Sequence, residues 1–137
     1  MKKNFKIIFG SLLIIGLVGI FAMGTSTKYE FSFPVLSNAE YQSQMQSGKT
    51  IAVAINATWC PTCMAQHKSL ESVAPNYKSK IAIYAYDWDE IDSFVGPKVK
   101  QRTTIAIFQN DKIIDELIGE TRKEKIAEFL DKHTSKL

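Results

Sequence analysis

Cys60 and Cys63 are the only two cysteines in this 137-residue chain, and they stand together in Trp59-Cys60-Pro61-Thr62-Cys63. Two thiols separated by two residues can close a small disulfide and reopen to a dithiol. The flanking residues favour that use. Ile51 to Ile55 is short, apolar and partly β-branched, the pattern of a buried strand. From Cys60 onward Leu70, Val73 and Ala74 recur at helical spacing, until Pro75 ends the run. A strand that delivers the pair to a helix start sets Cys60 against unpaired backbone N–H groups and the positive end of the helix dipole. Both favour the thiolate, and only the thiolate attacks a disulfide. Cys60 is therefore the expected nucleophile, and Cys63, one turn inside, the expected resolving thiol.

Other uses of the pair fit less well. A structural zinc site asks for about four ligands, whereas this chain offers one CxxC and two histidines far apart in sequence, His67 and His133. A permanent disulfide across two residues closes too small a loop to stabilise the fold much. Redox chemistry at the two sulfurs needs no cofactor, and none is expected.

The elements that must position the pair can be read along the chain. Tyr29 to Phe33 alternates like a strand and Pro34 ends it. Ser37 and Glu40 form a capping box for a helix reaching about Met45. Gly48-Lys49 turns into a strand over 50–56, and the CxxC helix follows to about Ala74. Ile81 to Tyr86 is a further strand, on which Tyr84 and Tyr86, with Trp88 beyond, read as core and edge residues. The acidic run Asp87, Asp89, Glu90, Asp92 reads as a solvated helix start in a loop broken by Gly96-Pro97. It lacks the glycine and terminal glutamate of a calcium-binding EF-hand loop. Thr104 to Phe108 and Lys112 to Ile118 form a hairpin around Asn110-Asp111, and a box of Thr121 and Glu124 starts a last helix with Ile126, Phe129 and Leu130 inward. The order βαβαβ followed by ββα is that of an α/β layered sheet.

The N-terminus bears on where the chemistry happens. Lys2, Lys3 and Lys6 precede an uncharged, mainly apolar run from Ile7 to Gly24. Residues 1–24 read as a signal peptide or signal-anchor helix, 25–28 as a linker and 29–137 as one domain. Ala22-Met23-Gly24 permits cleavage after Gly24, which would leave a secreted protein. An uncleaved or slowly cleaved membrane anchor is the favoured reading, with the domain facing the periplasm or the cell exterior. The formal charge of +3 belongs to this segment, since residues 25–137 hold 14 basic against 14 acidic residues. No basic aromatic patch appears, and nucleic acid is not an expected partner.

The order of elements, with the CxxC after the second strand, resembles the thioredoxin fold over roughly residues 29–135, nearly all of the chain beyond the N-terminal segment. Ala57 to Cys63, with His67 four residues beyond the second cysteine, is similar to the motif of membrane-anchored periplasmic reductases that serve cytochrome c maturation. The resemblance implies a central mixed sheet with helices on both faces and thiol–disulfide oxidoreductase activity, in the reducing direction. The implied partners are thiols or disulfides of exported proteins and a membrane or soluble redox partner that recycles the CxxC. Trp59 would pack beside the site and limit approach, while Pro61 and Thr62 would set the turn and help tune the potential.

Two positions depart from the resemblance. Thioredoxins place a cis-proline opposite the CxxC, and here Thr103 stands at that place, in Arg102-Thr103-Thr104-Ile105. A trans peptide is expected at Thr103, because a cis bond before a residue other than proline costs about 2.5–4 kcal/mol. Its side chain is expected near both sulfurs, donating a hydrogen bond to the Cys60 thiolate. Thioredoxin also carries a buried acid six residues before its first cysteine, where this chain has Ala54. Proton transfer at Cys63 then falls to water or another group. His67 is a candidate, although a partly exposed helix position is the favoured reading of it. Two alternatives remain: a metal- or iron–sulfur-binding module in which two chains supply four thiolates, and a non-catalytic adaptor with an idle CxxC.

Overall fold

Six consecutive buried residues, Ile51–Asn56, form β1 near the centre of a four-stranded sheet. The computed structural model describes residues 30–135; the expected signal peptide or signal-anchor 1–24, the expected linker 25–28, and Tyr29, Lys136 and Leu137 of the expected domain lie outside the described residues. β1 pairs in parallel with β2 (Ala82–Asp87) and antiparallel with β3 (Thr104–Gln109). β4 (Lys112–Ile118) completes the order β2-β1-β3-β4. The β3–β4 turn is made by Asn110 and Asp111, both with positive φ (50° and 59°), as a two-residue hairpin following strand twist requires.

Strand alternation divides the core into two layers. Ala52 and Ala54 of β1 lie opposite Ile107 and Ile105 of β3, while Val53 lies opposite Ala106. A small residue beside a large one keeps each face level, so helices can lie close. On one face α2 (Pro61–Val73) and α3 (Lys123–Thr134) bring Leu70, Val73, Ile126, Phe129 and Leu130 against Ala52, Ala54, Ile105 and Ile107. On the other, α1 (Asn38–Gln46) and the stretch 88–99 bring Tyr41, Phe94 and Val99 against Ile51, Val53, Ile55 and Phe108. The mixed sheet carries helices on both faces, as the sequence predicts.

The local signals mostly hold. Ser37 caps α1, its Oγ accepting from the Glu40 N–H at 3.1 Å. Residues 88–93 form a 3-10 turn behind Asp87, which accepts from the Asp89 N–H at 3.0 Å.

Two expectations fail. The stretch 30–33 is not a strand; the chain meets the sheet only at Val35, bridged in parallel to Ala85. His67 is the cause. The Ser32 N–H donates to its Nε2 at 3.2 Å, and Phe31 and Phe33 pack on its ring at 5.4 and 5.0 Å, drawing the segment off the β2 edge toward α2. The box of Thr121 and Glu124 does not form either. α3 has Arg122 at its cap position, with no capping side chain of its own. The Glu120 carboxylate instead accepts the N–H groups of Thr121 and Arg122 at 2.9 and 2.8 Å and pairs with the Arg122 guanidinium. Those contacts, Arg122 first, hold its pKa at about 2.

Candidate redox site

Cys60 is the N-cap of α2, and Pro61 opens the helix at N1, where no N–H is needed. The cap geometry turns the Cys60 sulfur back over the first turn, where it accepts from the Cys63 N–H at 3.3 Å. The two cysteines are free thiols here; Cys60 retains 5% of its surface and Cys63 none. Pro61 and Thr62 lie outside them, exposed on the first turn. The contacts separate the two thiols. Burial raises the Cys60 pKa, but hydrogen bonds from Cys63, Arg102 and Thr103 outweigh it and bring the thiol down to about 7. Burial, followed by the bond to Cys60, pushes Cys63 up. The pair can therefore carry one thiolate, at Cys60, with the proton retained at Cys63.

Thr103 closes the site from the opposite side. No described peptide bond is cis. Its Oγ1 lies 2.9 Å from Cys63 Sγ and 3.7 Å from Cys60 Sγ. The hydroxyl thus sits between the sulfurs as expected, but its short contact is with Cys63 rather than Cys60. Ala54, at the position of thioredoxin's acid, is fully buried in the layer under α2 and α3 and offers no proton.

Trp59 projects beside the pair, 58% exposed, and does not bury the sulfurs. Its ring is nevertheless held: Nε1 donates to the Asp89 carboxylate at 3.0 Å, and the Arg102 guanidinium stacks over its face at 4.8 Å. Cation–ring contact of this kind orients both partners. Trp88, read from sequence as a strand-edge residue, packs against the cluster of Ala57, Cys60 and Cys63 and so belongs to the site's surroundings.

His67 differs from the partly exposed helix residue expected. It is fully buried, with Nε2 3.0 Å from Ser32 Oγ and 3.8 Å from Glu71 Oε1. Its close contacts lie with the 31–33 segment, and it serves as the clasp for that segment. Gln66, which the sequence did not single out, is fully buried beside it and donates through Nε2 to the carbonyls of Thr103 at 3.2 Å and Glu120 at 3.0 Å. Arg102, Asp89 and Gln66 carried no sequence signal, because each gains its role only through a partner 30 or more residues away.

No group of three or more His, Cys, Asp or Glu side chains that could hold a metal ion occurs among the described residues. Their chemistry is that of a dithiol with one activated sulfur.

The sequence profile of the family described as "Thioredoxin" matches residues 32–132, which include both cysteines, Thr103 and all four strands. The chain belongs to the thioredoxin family. It is 33% identical over 99 residues to the thioredoxins of Staphylococcus aureus strains Mu50 and MW2, covering 72% of this chain and 94% of each relative. Among solved structures, Trxlp from Edwardsiella tarda EIB202 superposes with a TM-score of 0.59 at 25% identity, covering 72% of this chain and 98% of that one. A mutant thioredoxin from Halobacterium salinarum NRC-1 gives a TM-score of 0.59 at 17% identity over 74% of this chain and 89% of its own, a likeness of fold. With the thioredoxin fold and an adjacent cysteine pair both present, the protein is a thiol–disulfide oxidoreductase.

Proposed function

We propose that the protein reduces disulfides of exported proteins outside the cytoplasm, through Cys60 as nucleophile and Cys63 as resolving thiol. The observation that carries the assignment of roles is the separation of the two thiols: the Cys60 pKa falls to about 7 while that of Cys63 rises. The Cys60 thiolate attacks a substrate disulfide, one substrate thiol leaves, and Cys63 displaces the second while the Cys60–Cys63 disulfide forms. A redox partner then returns the pair to the dithiol.

The value of about 7 at Cys60 also bears on direction. Strongly oxidising members of the superfamily hold the nucleophile near ~3.5, because a very stable thiolate favours the reduced protein, whereas thioredoxin's lies at about 7. This supports reduction. The three lysines before the apolar run 7–24 support export and tethering. No helix among the described residues is long and apolar enough to cross a membrane, so a tether rests on residues 1–24.

Insulin disulfide reduction by the purified full chain tests the activity. Turnover with dithiothreitol is expected for the parent and none for Cys60→Ser; equal rates for the two would defeat the role given to Cys60. Fractionation of expressing cells tests the tether. Recovery with membranes supports it, while a soluble chain beginning at Thr25 would leave export alone standing.

A further inference from the structure

Cys63 must lose its proton to attack the mixed disulfide at Cys60, yet burial, followed by the bond to Cys60, holds that proton, while the Thr103 contact favours its release. The groups about it are few. A backbone group of Ala57 and the Cys60 sulfur complete its hydrogen bonding, with Thr103 the only hydroxyl in contact among the described residues. Of the charged groups, Arg102 bonds to Cys60, and Asp89 is held on the Trp59 ring beside the pair by Nε1. A guanidinium is a donor only and cannot accept a proton. His67, one turn further along α2, directs Nε2 at Ser32 and Glu71.

Thr103 is held there against its own preference. A φ of +59° is uncommon for a β-branched residue and strained. Its carbonyl accepts from the Gly119 N–H at 2.8 Å and from Gln66 Nε2 at 3.2 Å, and Gln66 is itself fully buried and bonded to the Glu120 carbonyl. Strain that neighbouring elements maintain marks a side chain whose placement matters.

We propose that Thr103 is a catalytic residue, a hydroxyl relay that carries the Cys63 proton to the departing substrate sulfur. The step balances without an outside acid or base. Cys63 Sγ passes its proton to Thr103 Oγ1 while the hydroxyl's own proton passes to the substrate sulfur bonded to Cys60. The Cys63–Cys60 bond forms and the Cys60–substrate bond breaks, the electron pair leaving with the substrate sulfur as a thiol. The cysteine pair is oxidised by two electrons and the substrate disulfide is reduced. The inference rests on the dithiol chemistry and is independent of compartment.

The test loads the reduced full chain with oxidised glutathione, giving the glutathione adduct at Cys60, and follows its resolution by rapid quench and mass spectrometry. At pH 7, Thr103→Val and Thr103→Ala are expected to slow resolution about a hundredfold, within the range of general acid–base groups. Thr103→Ser restores it. The deficit closes as the pH climbs well past 9.0 and Cys63 ionises unaided; a hydroxyl with a purely structural role would leave it constant. Parental rates in the Val and Ala variants, a deficit independent of pH, or failure of Ser to rescue would each overturn the relay. A parent protein that never resolves the adduct would overturn the oxidoreductase reading instead, and the relay with it.

Discussion

At Cys60 two opposed effects meet, burial against a set of donors, and the donors win. Arg102 is the donor open to a clean test, since it is exposed and its other visible contact is the Trp59 ring. Arg102→Gln removes the charge but keeps a planar end that can still lie on the indole. The pH midpoint of Cys60 alkylation should then rise from about 7 toward the ordinary thiol value, and alkylation at pH 7 should slow. Because the guanidinium is solvated, the rise should be no more than about one pKa unit, or 1.4 kcal/mol, and smaller at high salt. Iodoacetamide rates between pH 5 and 10 measure it; an unmoved midpoint would leave Arg102 as a ring partner only. The cysteines and Thr103 were legible as residues because their spacing and position carry meaning by themselves. The sulfur that Thr103 favours was not, since it depends on a loop held by Gln66 and Gly119.

Among the elements, α2 does more than carry the cysteines. Its buried face, Cys63, Gln66, His67, Leu70 and Val73, places a sulfur, a loop clamp, a clasp and two core residues on one stripe. The clasp should be sensitive to acid. Burial lowers the His67 pKa, with Glu71 opposing it, so the folded protein keeps a neutral ring that accepts from Ser32. As the pH falls through about 6.5, the unfolded chain binds a proton that the fold refuses, and stability declines. Protection of the Ser32 amide, its intrinsic exchange rate divided by the observed one, should fall between pH 7 and 5. His67→Leu fills the space between Phe31 and Phe33 but removes the acceptor of that N–H on the exposed Ser32, at a cost of about 0.5–1.5 kcal/mol. It should lose protection at Ser32 already at pH 7 and abolish the acid-dependent change. Protection unchanged in this variant would mean that the aromatic contacts alone hold the segment. The alternation of 29–33 read as a strand because Phe31 and Phe33 do share a face. The partner of that face is an imidazole rather than a sheet, which no periodicity reports.

On the scale of the whole molecule, the layer opposite α2 and α3 is locked at one close approach. A Cβ on Gly96 would lie 2.5 Å from Cζ of Tyr41, whose ring packs on Phe94 and Phe108 and whose hydroxyl donates to Asp111 at 2.6 Å. That ring cannot step aside without breaking the tie between α1 and the β3–β4 turn. Gly96→Ala should therefore destabilise the protein by about 1–3 kcal/mol, seen as a lower urea midpoint with an unchanged slope. A midpoint equal to the parent's would show that the 88–99 stretch yields instead. The alternating apolar strands, the turn residues and the helix spacing determined the layered sheet and placed the cysteine pair at a helix start, because these are properties of neighbours in the chain. The proposal of export or tethering likewise rests on residues 1–24 alone. Only the tertiary structure decided that Glu120 rather than Thr121 supplies the acceptor before α3, that His67 faces Ser32, and that Thr103 meets Cys63 before Cys60. Each of these depends on a short polar contact, where a small shift of the backbone changes the partner. Such distances follow from how the layers pack and leave no trace in the local pattern of residues.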